Sequence, residues 1–463
     1  MNGKVQLLIT GGDVYTPSRP IKADIVVKDE KIVSLQAPGT FQGEAEKIID
    51  ASGKSVIPGL IDTHAHFREP GFTHKEDFET GTRAAAAGGV TLAVDMPNTK
   101  PTTNSPERFE EHRKASEQKA IVDFNHWPGP PHDLDQIKDL MDMGAIGIKV
   151  FMMKDTKRGY PHMPELGITD DGHLMEIMRA CQKYGAIVAI HPHNQELCEH
   201  IEKRYFWEKG LTSPGDYAKA LRWGDSIIYD TAFALLLLLA RSTGVKLHLL
   251  HLNTYLGVEM VRLATQYNVN VTAEINPPHL FVTWKDVQEK GPYVLGTWTP
   301  PKDQEALWRA CTEDLFTVLL ATDHAPHAKE EKEIGWQDMW KAHGGAPYIQ
   351  HYLSLLLTAA NEGRITVERI VKLCSETPAK VFGFYPRKGV IQPGSDADLV
   401  IIDMNKKEEI TTDRIYSKCG WTPFEGWEVK GVPIQTIVRG KVVMENGEVI
   451  GEPGHGKFIT PQR

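Results

Sequence analysis

Val56-Ile-Pro-Gly-Leu-Ile-Asp-Thr-His-Ala-His-Phe67 (VIPGLIDTHAHF) is an apolar run that ends in two histidines. Seven further runs share its character: GVTLAVDMP (89–97), AIVDFNHWP (120–128), AIGIKVFMM (145–153), AIVAIHPH (186–193), KLHLLHLN (246–253), NVNVTAEIN (268–276) and FTVLLATDHAP (316–326). Segments with helical spacing lie between them, among them PERFEEHRKASEQ, DLDQIKDLMDMG, DGHLMEIMRACQKYG and GVEMVRLATQYN. Apolar strands alternating with amphipathic helices predict βα units and a parallel sheet. Eight such units suit a closed barrel, while an open doubly wound sheet is the alternative. The polar residues decide: in five of the eight runs an apolar strand ends in His, Asp or Lys. Barrel active sites sit at the C-terminal strand ends, so these residues would converge on one mouth.

Outward from this core, the first fifty residues and the last eighty read as short strands between turns, with VQLLIT, DIVVKD and KIVSLQA at one end and ADLVIID and QTIVRGKVVM at the other. The expected fold is therefore α/β: a TIM-type (β/α)8 barrel at 55–380, with a small β-sandwich domain formed by both chain ends, 1–54 and 381–463. A hydrophobic content of 41% and a charged content of 24% suit a large core. The net charge of -9, with no basic stretch, argues against nucleic acid. The five cysteines form no CxxC pair and read as reduced thiols. With no signal-like N-terminus, and with AFALLLLLA (232–240) too short to span a bilayer, the expectation is a cytoplasmic protein without a membrane segment.

His64 and His66 are two apart on a strand, so they share a face and can hold one ion together. Lys149 lies in an apolar stretch where an unpaired ammonium is costly, so it needs a partner, a modification or an outward salt bridge. A neutral lysine amine reacts with carbon dioxide to give a carbamate whose two oxygens can bridge two cations. His191 and His251 end their strands as candidates for a second ion. By parity His193 shares a face with His191 and is left open between supporting a ligand and touching substrate, whereas His248 reads as structural. Asp323 adds a carboxylate. Two divalent ions, expected to be zinc from the nitrogen and oxygen donors, could then share a bridging hydroxide as nucleophile, with Asp323 as ligand and proton shuttle.

These residues resemble the amidohydrolase superfamily, and within it the cyclic amidohydrolases: dihydroorotases, allantoinases, and hydantoinases or dihydropyrimidinases. The resemblance runs through VIPGLIDTHAHFREPG, DMPNT, GIKVFM, HLLHLNT, ATDHAPHAKEEK and PGSDADLVIID. It implies that His64, His66, Lys149, His191, His251 and Asp323 are the metal ligands, with Lys149 carboxylated, and that a small cyclic amide such as dihydroorotate is hydrolysed. FREPG and MPNT are similar to dihydroorotases, where the residues matching Arg68 and Asn98 hold the substrate carboxylate. A salt bridge from Arg68 to Glu69, Glu76 or Asp77 is the competing reading. The NPPLR string of dihydroorotases is TPPKD here, which places Thr299 at a substrate-binding position, and TPHHL becomes NPPHL. GIKVFM and GWTPFEGWEVKGVPI are closer to hydantoinases and allantoinases. His327, four residues beyond Asp323, is a further candidate for substrate binding or proton transfer. A homo-oligomer, dimer or tetramer, is what the resemblance implies for assembly. With all six ligand positions filled, a non-catalytic scaffold is disfavoured.

Overall fold

A computed structural model describes residues 4–154 and 164–463. All eight expected barrel strands are present: β1 (Leu60–Ala65), β2 (Val90–Asp95), β3 (Asp123–His126), β4 (Ile148–Phe151), β5 (Ile187–His191), β6 (Lys246–Leu249), β7 (Val271–Ile275) and β8 (Val318–Leu320). They pair in parallel as two arcs, β1 to β3 and β4 to β8. Backbone bonds join the arcs into a ring. The His66 amide donates to the His324 carbonyl at 2.7 Å, and the Lys149 amide to the Pro128 carbonyl at 2.9 Å. The Asp62 carboxylate reinforces the first junction by accepting from the Thr322 amide at 3.0 Å and from the Thr322 hydroxyl at 2.5 Å. Tethering Thr322 also places Asp323 beside the end of β1.

Alternating side chains explain the two cores. Ile61, Leu92, Val94, Trp127, Ala189 and Leu319 form one buried cluster, while their neighbours Leu60, Ala93, Phe124, Val188 and Leu320 pack into a larger one with helical residues such as Phe109 and Leu174. The helices start where capping residues stand. Ser105 accepts from the Arg108 amide at the head of Pro106–Glu117, Asp170 caps Asp171–Lys183, and Thr254 caps Tyr255–Gln266. The apolar run 232–240 falls in the helix Trp223–Thr243, which is long and apolar enough to cross a membrane by length and composition alone. Its Phe233, Leu236 and Ala240 instead join the core of the fold.

Both chain ends build the small domain. A seven-stranded sheet joins the N-terminal strands Pro20–Lys22, Asp13–Tyr15 and Ser55–Pro58 to the C-terminal strands Leu399–Glu409, Glu428–Val438, Lys441–Glu445 and Glu448–Val449, the two sets meeting where Ser55–Pro58 pairs with Leu399–Glu409. A four-stranded N-terminal sheet faces it, and Leu7, Ile25 and Val27 share a core with Leu399, Ile401 and Ile437. Two details depart from the sequence reading. The run 56–67 is not one strand: Ser55–Pro58 pairs antiparallel with residues 399–402 of the small domain, and the chain enters the barrel only after Gly59. A Cβ at Gly59 would collide with the Thr91 side chain, so the crossing point needs glycine. The tail within 381–463 also leaves the small domain, because Lys457 to Ile459 run along β3, with the Ile459 amide donating to the Phe124 carbonyl at 2.9 Å. All five cysteines are buried, and none is joined in a disulfide among the described residues.

Candidate metal centre and active site

His64 lies in β1 and His66 just beyond it, both buried. Their outer nitrogens are engaged: His64 Nδ1 lies 2.7 Å from Glu274 Oε1, and His66 Nδ1 lies 2.6 Å from Asn98 Oδ1. Each Nδ1–H therefore donates outward, which turns both Nε2 atoms inward, the usual orientation of metal-binding histidines. There they meet one atom, Asp323 Oδ1, at 3.1 Å from His64 Nε2 and 3.2 Å from His66 Nε2. These three side chains form a group able to hold a cation. Asp323 has φ 53°, His251 φ 36° and Arg68 φ 62°. Non-glycine residues in this region carry strain of about 1–3 kcal/mol each, tolerated where the surroundings dictate the conformation and often found at functional sites.

On the far side of His64, whose ring centre is 6.0 Å from that of His251, His251 Nε2 lies 2.8 Å from His191 Nδ1. Two imidazole nitrogens that converge this closely can turn both lone pairs to one cation. Lys149, on β4, is fully buried, and its Nζ has no hydrogen-bond partner among the described residues. An orphaned amine in the wall of a histidine cluster is what a carbamate ligand requires, so these residues fit a pair of divalent ions.

Electrostatics agree with a ligand set. Burial pushes the Lys149 amine down to about 7, against the pull of Asp323 and Glu274, so it is readily neutral and nucleophilic. Burial also lowers His251 to about 4 and His66 to about 3, which keeps both imidazoles neutral as ligands must be. Burial works against charge on Asp323, yet His64 and His66 hold its pKa well below the ordinary carboxylate value. Burial likewise lowers His64, but Glu274 and Asp323 reverse this and raise it to about 9, so a cation arriving there displaces a proton.

A cavity opens over these groups, lined also by Arg68, Asn98, His193, Asn253, His279 and Tyr348. Arg68 does not pair with the acids near it in sequence. Glu69 bonds Lys119, Glu76 bonds Ser417, and Asp77 bonds Lys418 at 2.9 Å. Its Nε instead donates to the Pro326 carbonyl at 3.1 Å and its Nη2 faces His327 Nε2 at 3.1 Å, while Nη1 is left without a partner among the described residues. His327 is thus behind Arg68 and not on the cavity wall. Thr299 is also off the wall: its hydroxyl donates to the His279 carbonyl at 2.7 Å. Asn98 lines the cavity while orienting His66. His248 is buried near Glu274, with Nδ1 2.8 Å from Thr272 Oγ1, in keeping with a structural role.

Glu274 escaped the sequence reading. It sits on β7, orients His64, and accepts from the Asn276 amide group at 2.9 Å. Its signal was available, since an acid inside the apolar run NVNVTAEIN has the same oddity as Lys149 in AIGIKVFMM. Asp62 carried the same sign in VIPGLID.

Comparison with known proteins agrees. Residues 55–443 match the model of the amidohydrolase family. The chain is 35% identical over 447 residues to an L-hydantoinase of Paenarthrobacter aurescens, covering 95% of this chain and 94% of that one. It is 34% identical over 455 residues to a dihydroorotase of Lactobacillus delbrueckii subsp. bulgaricus, covering 96% and 100%. Among solved structures, the L-hydantoinase (dihydropyrimidinase) from Arthrobacter aurescens superposes with a TM-score of 0.92 at 33% identity, over 98% of this chain and all of that one. That neighbour, the eight closed strands and the converging histidines lead to one conclusion: this chain belongs to the amidohydrolase family.

Proposed function

We propose that this cyclic amidohydrolase opens a small ring that carries a carboxylate or a comparable anionic substituent, dihydroorotate being the type of substrate meant. The observation that carries this reading is Arg68: a buried guanidinium on the cavity wall, clamped through Nε and Nη2, with Nη1 unpartnered. A guanidinium held in one orientation can meet a carboxylate through charge-assisted hydrogen bonds with little further ordering.

His64, His66, His191, His251, Asp323 and a carboxylated Lys149 would hold two divalent ions, zinc by donor type, which acidify a water and polarise the scissile carbonyl. Carboxylation of Lys149 forms an N–C bond to carbon dioxide and releases one proton. Asp323 takes the proton of the attacking water and returns it to the departing amide nitrogen, so no net proton is consumed in the cleavage. Glu274 and Asn98 keep His64 and His66 turned inward throughout.

A second reading, a neutral hydantoin-type or allantoin-type ring, is favoured by the apolar part of the lining, where Met153, Tyr217, Leu221, Tyr229 and Leu295 offer surface to an uncharged substituent. Steady-state rates of the metal-loaded enzyme on dihydroorotate, allantoin, hydantoin, dihydrouracil and simple cyclic imides separate the two. Highest kcat/KM on the acidic ring supports the anionic reading, and equal or higher efficiency on neutral rings overturns it. A cytoplasmic homo-oligomer belongs to the same reading. Self-association is supported by the exposed apolar side chains Leu238, Leu256, Leu263 and Tyr267 on the helices Trp223–Thr243 and Tyr255–Gln266 and just beyond, and sedimentation velocity tests it.

A further inference from the structure

A second group of ligand-type atoms lies apart from the cavity, between the barrel wall and a helix. Asp95 ends β2, His126 ends β3, and His112 projects from the helix Pro106–Glu117 that packs against β3. All three are buried, and His126 is wrapped by the rings of Phe78, Phe109 and Phe124. Asp95 Oδ2 is 3.5 Å from His112 Nε2 and 4.0 Å from His126 Nδ1. None of these three atoms has a hydrogen-bond partner among the described residues.

The remaining atoms show how the group is oriented. Asp95 Oδ1 accepts the Phe67 amide at 2.7 Å, and His112 Nδ1 lies 2.9 Å from Thr103 Oγ1. In the tautomer whose Nδ1–H donates to Thr103, His112 turns an Nε2 lone pair toward Asp95 Oδ2. In that tautomer an ionised Asp95 would set two acceptors against each other in an aromatic shell; burial pushes its carboxyl well above the usual carboxylate range, and no lysine or arginine pairs with Asp95 among the described residues. Leaving buried polar atoms unmet is costly, and a shared cation removes that cost for all of them at once.

We propose that Asp95, His112 and His126 bind a third divalent transition-metal ion, of the zinc type, separate from the catalytic pair. Bonds of about 2.0–2.2 Å in a tetrahedral site place neighbouring ligand atoms about 3.3–3.5 Å apart, so Asp95 and His112 already stand at the required spacing, while His126, whose ring stacks on that of His112 at 4.0 Å between centroids, has to move inward and turn its Nδ1 toward them. Two imidazoles and one carboxylate suit zinc, cobalt, nickel or copper, not magnesium or calcium. The Glu69 carbonyl, which also faces the His112 ring, or a water would complete the tetrahedron. Such an ion would pin the helix to β2 and β3. Through Asp95 and the Phe67 amide it would also brace the chain next to His66, which makes it a positioning site without contact to substrate.

The site does not depend on the proposed substrate. Zinc-loaded protein, freed of excess metal and analysed by inductively coupled plasma mass spectrometry, should hold three ions per chain. His112→Phe should hold two, and Lys149→Ala should keep at least the ion at Asp95. Zinc-edge anomalous diffraction from the unmodified protein should show a peak between Asp95 Oδ2, His112 Nε2 and His126 Nδ1, and it decides the matter if His112→Phe fails to fold. Crystals with the His64–Asp323 centre filled and no peak at Asp95 would overturn the proposal. A peak at Asp95 with the other centre empty would keep it and sink the binuclear reading instead.

Discussion

His64 and Glu274 are joined across the barrel mouth, Nδ1 to Oε1 at 2.7 Å, although 210 residues separate them. The bond fixes the His64 tautomer and aims Nε2 at the metal position. Glu274→Gln keeps the shape but removes the anion, so affinity at the His64 subsite should fall about 10- to 100-fold. Competition with a chromophoric chelator measures it, and unchanged affinity would show that His64 needs no such partner.

Lys149 carboxylation starts from the neutral amine, and burial has moved its pKa from 10.5 to about 7. Below that value the native side chain is an ammonium and cannot react. At fixed dissolved carbon dioxide, activation of apoprotein by metal should be about tenfold slower at pH 6 than at pH 8, following the neutral fraction. Lys149→Ala should lose metal and activity together, with partial rescue by acetate or propionate. Full metal content in Lys149→Ala would reject the carbamate.

Asp323→Asn should lower kcat by at least 100- to 10,000-fold, the range supplied by general acid–base catalysis alone, with the loss of a ligand added to it. Stopped-flow turnover with metal content measured in parallel separates the two contributions. Near-normal turnover with both ions bound would move the proton to another group.

Arg68→Met should raise KM for an acidic ring about 10- to 100-fold, the worth of about 1.5–3 kcal/mol for hydrogen bonds to a charged group, and leave metal content intact. KM for hydantoin should hardly move. Equal effects on both rings would transfer the enzyme to the neutral-ring reading.

Thr299→Val probes a residue that the dihydroorotase resemblance assigns to substrate. Its hydroxyl is spent on the His279 carbonyl at 2.7 Å, so the variant should lose about 1–3 kcal/mol of stability by urea denaturation while the preference between acidic and neutral rings stays the same. A changed preference with unchanged stability would restore a direct contact to the ring.

The residues themselves determined a good deal of this protein. The eight apolar runs became eight strands because a buried parallel strand needs apolar side chains on both faces, which leaves its polar end visible in a single sequence. His64, His66, Lys149, His191, His251 and Asp323 stood out as candidates for the same reason, each being a costly group at the end of, or inside, an apolar run. The tertiary structure alone decided what lies behind them. Glu274 meets His64 and His327 stands behind Arg68 only because barrel closure brings distant strand ends together, while Asn98 meets His66 through the pairing of neighbouring strands; no local pattern encodes partners that lie from 32 to 259 residues away. Gly59, where one apolar run divides between two domains, shows the limit from the other side: hydrophobicity is continuous across it, and only the approach of Thr91 marks the boundary. Periodicity records which side chains leave water, whereas contacts between strands depend on the path of the whole chain.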